Sequence, residues 1–134
     1  MMEAGKIRAI IVDDEKHASE TLAWEINRCC PEIELVQSFN KPEMAAEQIQ
    51  SLAPAILFLD VEMPKMSGFD LLQQFDNPSF AVIFTTAYDQ FALKAIKHSA
   101  IDYLLKPIEK EELKSAIDKY KQSKNKQLSG EQLD

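Results

Sequence analysis

The chain has few cysteines and few glycines, and it has no long apolar run. Its 134 residues include three glycines and two cysteines, Cys29 and Cys30. An adjacent cysteine pair supplies neither a disulfide framework nor the ligand spacing of a zinc site, so we expect two reduced residues near a helix end. No apolar run approaches the roughly 20 residues that a membrane span needs.

Positive charge is also scarce, with 15 Lys and Arg against 22 Asp and Glu and a formal net charge of −7. Because phosphate backbones attract basic surfaces, this balance argues against nucleic-acid binding by the chain itself. The N-terminal stretch MMEAGKIRAIIVDDE places Arg8 among apolar residues and carboxylates directly after them, which is unlike a signal peptide. We therefore expect a cytoplasmic protein without membrane association.

What the sequence does contain is a regular alternation of strand and helix patterns. The strand candidates are Ile7–Val12, Ile33–Ser38, Ala55–Leu59, Phe80–Thr85 and Ile101–Leu104. Helical spacing is carried by Ala18, Leu22, Ile26 and Cys29, by Ala45, Ile49 and Leu52, and by Leu113, Ala116, Ile117 and Tyr120, with shorter helices at Phe69–Phe75 after Ser67 and at Gln90–Lys97. This alternation predicts an α/β fold, a doubly wound parallel sheet of five strands covered by helices on both faces.

Polar side chains follow the strands where a parallel sheet binds its ligands, at the carboxyl ends. Those side chains are Asp13, Asp14 and Glu15 after strand one, Asp60 after strand three, Thr85 and Thr86 at the end of strand four, and Lys106 after strand five. The acidic triplet alone could simply begin a solvated loop that caps the first helix. Acids on two strand ends, with a hydroxyl and a lysine on two others, instead favour a functional site.

Carboxylates gathered at one sheet edge repel one another unless a cation lies between them, and Mg²⁺ prefers such oxygen ligands. Asp60 would then be a carboxylate nucleophile that accepts a phosphoryl group, a chemistry that needs positive charge on the transferring oxygens. Mg²⁺ and Lys106 would supply that charge, and the Thr86 hydroxyl would donate a hydrogen bond. The turn after Asp60 frees the backbone carbonyl of Glu62 for the metal.

Four motifs in order closely resemble the receiver (CheY-like) domain of two-component response regulators: VDD at 12–14, LDVEMPKMSG at 59–68, FTTAY at 84–88 and DYLLKP at 102–107. The resemblance covers residues 5–123 and implies a flavodoxin/CheY-like (βα)5 sheet with strand order 2-1-3-4-5. The stretch FTTAYDQFALKAIKHSAIDYLLKPI resembles the LytTR branch, whose receivers precede a DNA-binding domain. We expect 124–134 to begin a linker to such an effector domain, absent from this chain, which would control transcription.

The resemblance also implies a metal site and its occupant. Asp60 matches the phosphoacceptor. Asp14 would bind Mg²⁺ (or Mn²⁺) directly, Asp13 would hold a metal-bound water, and Glu62 would contribute its main-chain carbonyl.

Glu62 and Tyr88 stand where receivers tune dephosphorylation, although ordinary loop surface explains them equally well.

The remaining implied roles belong to the switch. Lys106 matches the lysine that pairs with the phosphoryl group, and its bond to Pro107 is usually cis in the family. Thr86 matches the switch hydroxyl; Thr85 competes for that role, but strand alternation sends only one of the two to the site. Tyr103 matches the aromatic residue of the switch. The simpler alternative is that its ring is only partly buried packing near the end of a strand.

The implied partner is a sensor histidine kinase. His17 and His98 are the only histidines, and because we place both on the surface, the donor histidine should lie on another protein. A homodimer could form through the fourth helix, fifth strand and fifth helix, where Phe91, Leu93 and Ile96 are more apolar than exposure requires. DNA binding would come only through the missing domain.

Three alternatives remain open from the sequence. An aspartate-nucleophile phosphatase of the haloacid dehalogenase type would use Asp60 with Glu62 as its second acid. A flavodoxin-like cofactor module shares the topology, but Asp13-Asp14-Glu15 would repel a phosphate. A receiver could also serve as an interaction module for which phosphorylation is optional.

Overall fold

The computed structural model describes residues 6–76, 78–97 and 99–133, without the side chains of 91–93, 96 and 126–133. The strands are β1 (Ile7–Val12), β2 (Ile33–Phe39), β3 (Ile56–Asp60), β4 (Ala81–Thr86) and β5 (Asp102–Leu105). All pair in parallel, in the order β2-β1-β3-β4-β5. The helices are α1 (Lys16–Cys29), α2 (Pro42–Leu52), α3 (Gly68–Leu72), α4 (Ala92–Lys97), which follows a 3₁₀ turn at Asp89–Phe91, and α5 (Lys110–Leu133). The predicted fold class and strand order are confirmed.

Alternation along the strands divides the core into two halves and explains the three-layer arrangement. On β1, Ile10 and Val12 join a cluster with residues of α2, α3 and α4, whereas Ala9 and Ile11 join a second cluster with residues of α1 and α5. Both faces of the central strands are therefore buried, as expected for a parallel sheet that helices cover on both sides. The predicted helix faces contribute as expected, with Leu22 and Ile26 on α1 and Leu113, Ala116, Ile117 and Tyr120 on α5 all buried.

Several predicted boundaries were wrong by one or a few residues. Strands β3, β4 and β5 each begin and end one residue later than predicted, and β2 extends one residue further. Helix α3 begins one residue earlier than predicted and ends at Leu72 instead of Phe75, because the N–H groups of Gln74 and Phe75 bond three residues back and tighten the chain into a turn. The single helix predicted at Gln90–Lys97 is a 3₁₀ turn followed by α4.

Helix α5 continues to Leu133, through a stretch in which the sequence loses its helical periodicity. The predicted domain boundary near residue 123 therefore remains a prediction. Among the residues that the structure describes, no helix combines the length and apolar character needed to cross a membrane.

Candidate functional site

The acidic residues converge because β1 and β3 are neighbours. Val12 pairs with Leu59, so Asp13 and Asp60 leave the sheet at the same level. The carboxylates of Asp13, Asp14 and Asp60 each place an oxygen within 4.8 Å of the others. Asp13 and Asp60 are only 3% and 4% exposed, whereas Asp14 is exposed. The predicted meeting of two strand ends is thus present in the structure.

Lys106 brings a positive charge to the same place. Its backbone N–H donates to the Thr86 carbonyl at 2.7 Å, which fixes it at the end of β4, and its bond to Pro107 is cis. The Lys106 Nζ lies 2.7 Å from Asp13 Oδ2 and 3.6 Å from Asp60 Oδ1. Burial alone would lower the pKa of Lys106, but the hydrogen bond to Asp13 and the charges of Asp60 and Asp13 raise it. The lysine therefore stays protonated at neutral pH.

The pKa of Asp60 is strongly perturbed. Burial, followed by the negative charge of Asp13, raises it from 3.8 to about 7; Lys106 opposes this shift and Asp14 adds to it. The negative charge of ionised Asp60 is only partly compensated, because the Lys106 ammonium lies closer to Asp13 than to Asp60. A cation placed among the three acids would relieve the repulsion.

The donor set fits a hard divalent cation. Oxygens bound to Mg²⁺ at about 2.1 Å lie roughly 3 to 4 Å apart around the ion. The oxygens of Asp13, Asp14 and Asp60 lie within 4.8 Å of one another, so only a small movement would bring them around such an ion. Glu62 lies beside Asp14 and Asp60 on the rim of one cavity, and the contribution of its carbonyl remains a prediction.

A cavity of about 250 Å³ opens above Asp60. It is lined by Asp14, Glu15, Asp60, Glu62, Thr86, Ala87, Tyr88 and Lys106. Thr85 instead lines a groove on the α1 side of the sheet. This division follows from strand alternation and favours Thr86 as the hydroxyl that faces the site.

Tyr103 is connected to the cavity without lining it. The Thr86 Oγ1 accepts a hydrogen bond from the Tyr88 N–H at 3.2 Å, and the Tyr103 hydroxyl donates to the Tyr88 carbonyl. The main chain of Tyr88 therefore joins the two predicted switch residues.

Two residues that position the acids were not singled out from the sequence. A Cβ atom at Gly68 would lie 2.5 Å from the Asp60 carbonyl oxygen, so only glycine fits against the strand end at this point. The glycine that closes the MPKMSG turn was a usable signal. Asn40 donates from Nδ2 to the Asp13 carbonyl at 2.8 Å, and nothing in the sequence pattern pointed to it.

The other predicted residues lie away from the site or outside the described part. His17 is exposed, as predicted, and both cysteines are free, with Cys29 ending α1. His98 and the side chains of Phe91, Leu93 and Ile96 lie outside the described residues, so the predicted dimer face remains a prediction.

Comparison with known proteins gives a consistent result. A family model described as the response regulator receiver domain matches residues 9–118. The sensory transduction protein LytT of Bacillus subtilis is 41% identical over 118 residues, which cover 86% of this chain and 48% of LytT. The transcriptional regulatory protein BtsR of Salmonella typhimurium is 36% identical over 122 residues, which cover 90% of this chain and 51% of BtsR. The chain thus spans about half the length of the curated relatives it matches.

Solved structures give the same picture. The response regulatory domain of protein mrkE from Klebsiella pneumoniae superposes with a TM-score of 0.76 at 30% sequence identity. The match covers 87% of this chain and 97% of that domain.

Proposed function

Because the chain belongs to the response regulator receiver domain family, we propose that it accepts a phosphoryl group on Asp60 from a sensor histidine kinase in a Mg²⁺-dependent reaction. A receiver domain is a regulatory switch, so family membership sets aside the phosphatase and flavodoxin-like alternatives. The observation that carries the proposal is the buried carboxylate of Asp60, with its pKa raised to about 7, beside Lys106 and two further acids.

The transfer step follows from what surrounds Asp60. An oxygen of its carboxylate attacks the phosphorus of a phosphohistidine, the new O–P bond forms, and the N–P bond breaks with its electron pair left on the imidazole. The Lys106 ammonium would pair with the phosphoryl oxygens, and its distance of 3.6 Å from Asp60 Oδ1 supports that role. The cavity of about 250 Å³ above Asp60 leaves room for that group.

The metal would be held by Asp14 and Asp60 directly, by Asp13 through a water and by the Glu62 carbonyl. When bound, Mg²⁺ or Mn²⁺ supplies positive charge between the carboxylates and the incoming phosphoryl oxygens. The Asp13 carboxylate already accepts a hydrogen bond from Lys106 at 2.7 Å, which supports an indirect part for it in metal binding.

The switch would begin at Thr86. A phosphoryl group on Asp60 would accept a hydrogen bond from the Thr86 hydroxyl and draw Thr86 toward the cavity. Because the Thr86 Oγ1 also accepts from the Tyr88 N–H, that movement would shift the Tyr88 main chain and loosen the bond from the Tyr103 hydroxyl to the Tyr88 carbonyl. The surface formed by α4, β5 and α5 then changes its population between two states. Two chains would form a homodimer through that surface. The dimer would control transcription through a LytTR-type DNA-binding domain outside this chain, and the protein would act in the cytoplasm.

The domain would slowly hydrolyse its own aspartyl-phosphate, without a second protein. Glu62 and Tyr88 line the cavity beside Asp60, so a water that attacks the phosphoryl group would approach between them. Their side chains would set the lifetime of the phosphorylated state.

The test uses acetyl phosphate as a small phosphodonor. The chain incubated with acetyl phosphate and Mg²⁺ should gain the mass of one phosphoryl group, and the gain should disappear in EDTA. The Asp60→Asn variant should gain none, while Asp118→Asn, which changes an exposed acid on α5, should behave like the wild type. Labelling of Asp60→Asn, or equal labelling of the wild type in EDTA, would contradict the assignment.

A further inference from the structure

Asn40 connects two loops that the sequence keeps far apart. It follows β2 directly, and its Nδ2 donates to the Asp13 carbonyl at 2.8 Å and to the Ser19 Oγ at 3.1 Å. A side-chain amide carries two N–H groups, so one nitrogen can serve both acceptors. The end of β1 and the first turn of α1 are thereby tied to the same point on the β2–α2 connection.

Asp13 is held at each of its polar groups. Its N–H donates to the Phe39 carbonyl at 3.0 Å, its own carbonyl accepts from Asn40, and its Oδ1 and Oδ2 accept from the Glu15 N–H at 2.9 Å and from Lys106 at 2.7 Å. Phe39 and Asn40 supply both backbone anchors. The junction after β2 therefore fixes the main chain at the point where the acidic loop begins.

The start of α1 is held by backbone donors, since the Glu15 N–H donates to Asp13 Oδ1 at 2.9 Å and the Ser19 N–H donates to the Glu15 carbonyl at 3.1 Å. Glu15 caps the helix without a side-chain hydrogen bond, and the first turn has no acidic residue. Ser19 is 3% exposed, and its hydroxyl donates to the Lys16 carbonyl at 2.9 Å. The bond from Asn40 to Ser19 thus reaches a buried, ordered point on the first turn, and the segment between Asp13 and Lys16 is fixed at both ends.

We propose that Asn40 is a positioning residue for the metal site. Asp14 lies inside the segment that Asn40 ties down, and the separation of its carboxylate from those of Asp13 and Asp60 depends on where that segment is held. Asn40 itself donates to a backbone carbonyl and to the Ser19 hydroxyl, so it acts on metal affinity through geometry. The inference rests on the proposed function, because it takes the acidic cluster to be the Mg²⁺ site of a receiver.

Binding of Mn²⁺ to the full 134-residue chain measures this effect directly. Electron paramagnetic resonance of free Mn²⁺ gives the Kd without any need for activity. Losing an outer support of a metal ligand typically weakens affinity by tenfold or more, so Asn40→Ala should raise the Kd about tenfold. Asn27→Ala, on the exposed face of α1, is the matched control and should change the Kd less than about twofold. Asn40→Leu, which keeps roughly the size of the side chain, adds no charge and has no donor, should weaken binding as Asn40→Ala does and serves if Asn40→Ala fails to fold.

A positioning role and a purely structural role differ in a second measurement. The rate of labelling by acetyl phosphate should reach half its maximum at about tenfold more Mg²⁺ in the Asn40 variants, with a maximal rate close to that of the wild type. An unchanged Kd for Mn²⁺, with only a lower melting temperature in EDTA, would overturn the inference. If the wild type bound no Mn²⁺, the proposed function would fail; if it bound Mn²⁺ and the variants bound equally well, only the inference on Asn40 would fail.

Discussion

Replacing Asp60 with asparagine should stabilise the metal-free protein at neutral pH. Asp60 is 4% exposed and shares its surroundings with Asp13 and Asp14, and burial followed by the charge of Asp13 raises its pKa to about 7. The unfolded chain has no such restraint, so its carboxyl ionises near the ordinary value of 3.8. The folded protein therefore carries an unfavourable charge at pH 8 that asparagine lacks.

The sign and size of the effect follow from proton linkage. Between pH 3.8 and about 7 the folded state binds more protons at Asp60 than the unfolded state does, so the free energy of unfolding decreases as the pH rises through this window. A pKa difference of one unit corresponds to about 1.4 kcal/mol, so the penalty above pH 7 is on the order of 4 kcal/mol. The pKa of about 7 already includes the attraction to Lys106, so asparagine, which resembles the neutral carboxyl, should gain about 3 to 4 kcal/mol at pH 8.

Urea and thermal unfolding in EDTA between pH 5 and pH 8 measure this gain. At pH 8 the Asp60→Asn variant should melt about 10 °C above the wild type, and the difference should shrink as the pH falls. Asp118→Asn should show no pH-dependent gain, since Asp118 is exposed on α5. Added Mg²⁺ should stabilise the wild type more than Asp60→Asn. A variant no more stable than the wild type at pH 8, or a gain independent of pH, would refute the electrostatic reasoning.

Two further changes test contacts near the site, and a third tests the backbone at the end of α2. Gly68→Ala should lose about 2 to 3 kcal/mol in urea unfolding and label slowly with acetyl phosphate, because the added Cβ would lie 2.5 Å from the Asp60 carbonyl oxygen; full stability with full labelling would contradict this. Ala53→Gly should raise the free energy of unfolding by about 1 kcal/mol, because Ala53 ends α2 in the left-handed conformation, with a φ of 52°, which glycine adopts without strain. A decrease of the same size in urea unfolding would show that alanine is not strained there. Tyr103→Phe removes the hydrogen bond to the Tyr88 carbonyl, so amide hydrogen exchange of residues 87–89 should accelerate while labelling persists; unchanged exchange would argue against the connection.

The fold was largely predictable because burial leaves a strong periodic signal. The bounds of β1 are those expected from the sequence, since apolar residues run to both of its ends. The later strands were predicted one residue early because apolar runs report burial, whereas a strand ends where its hydrogen bonding ends. Asp60 pairs with Thr85, and Thr86 with Leu105, so polar or exposed residues complete these strands.

The acidic cluster was predictable from strand adjacency, but its supports were not. The contact between Asn40 and Asp13 joins residues 27 positions apart through a side chain and a carbonyl, and such a bond leaves no trace in hydrophobic periodicity. The sequence gives no sign of the link through the Tyr88 main chain either, because a backbone carbonyl can accept a hydrogen bond whatever the side chain of its residue. Sequence reasoning thus located the groups that carry charge and missed the groups that hold them in place.

The placement of Lys106 helps to explain why the pKa of Asp60 is raised. A lysine midway between two buried carboxylates would compensate both, but the Nζ of Lys106 lies 2.7 Å from Asp13 and 3.6 Å from Asp60. Asp13 also accepts from the Glu15 N–H, so its charge has a second donor nearby. Asp60 lies farther from the lysine, whose charge only partly offsets the effects of burial and of Asp13 on its pKa. A cation bound among the three acids would therefore lower the pKa of Asp60, and the cavity of about 250 Å³ opens beside this carboxylate.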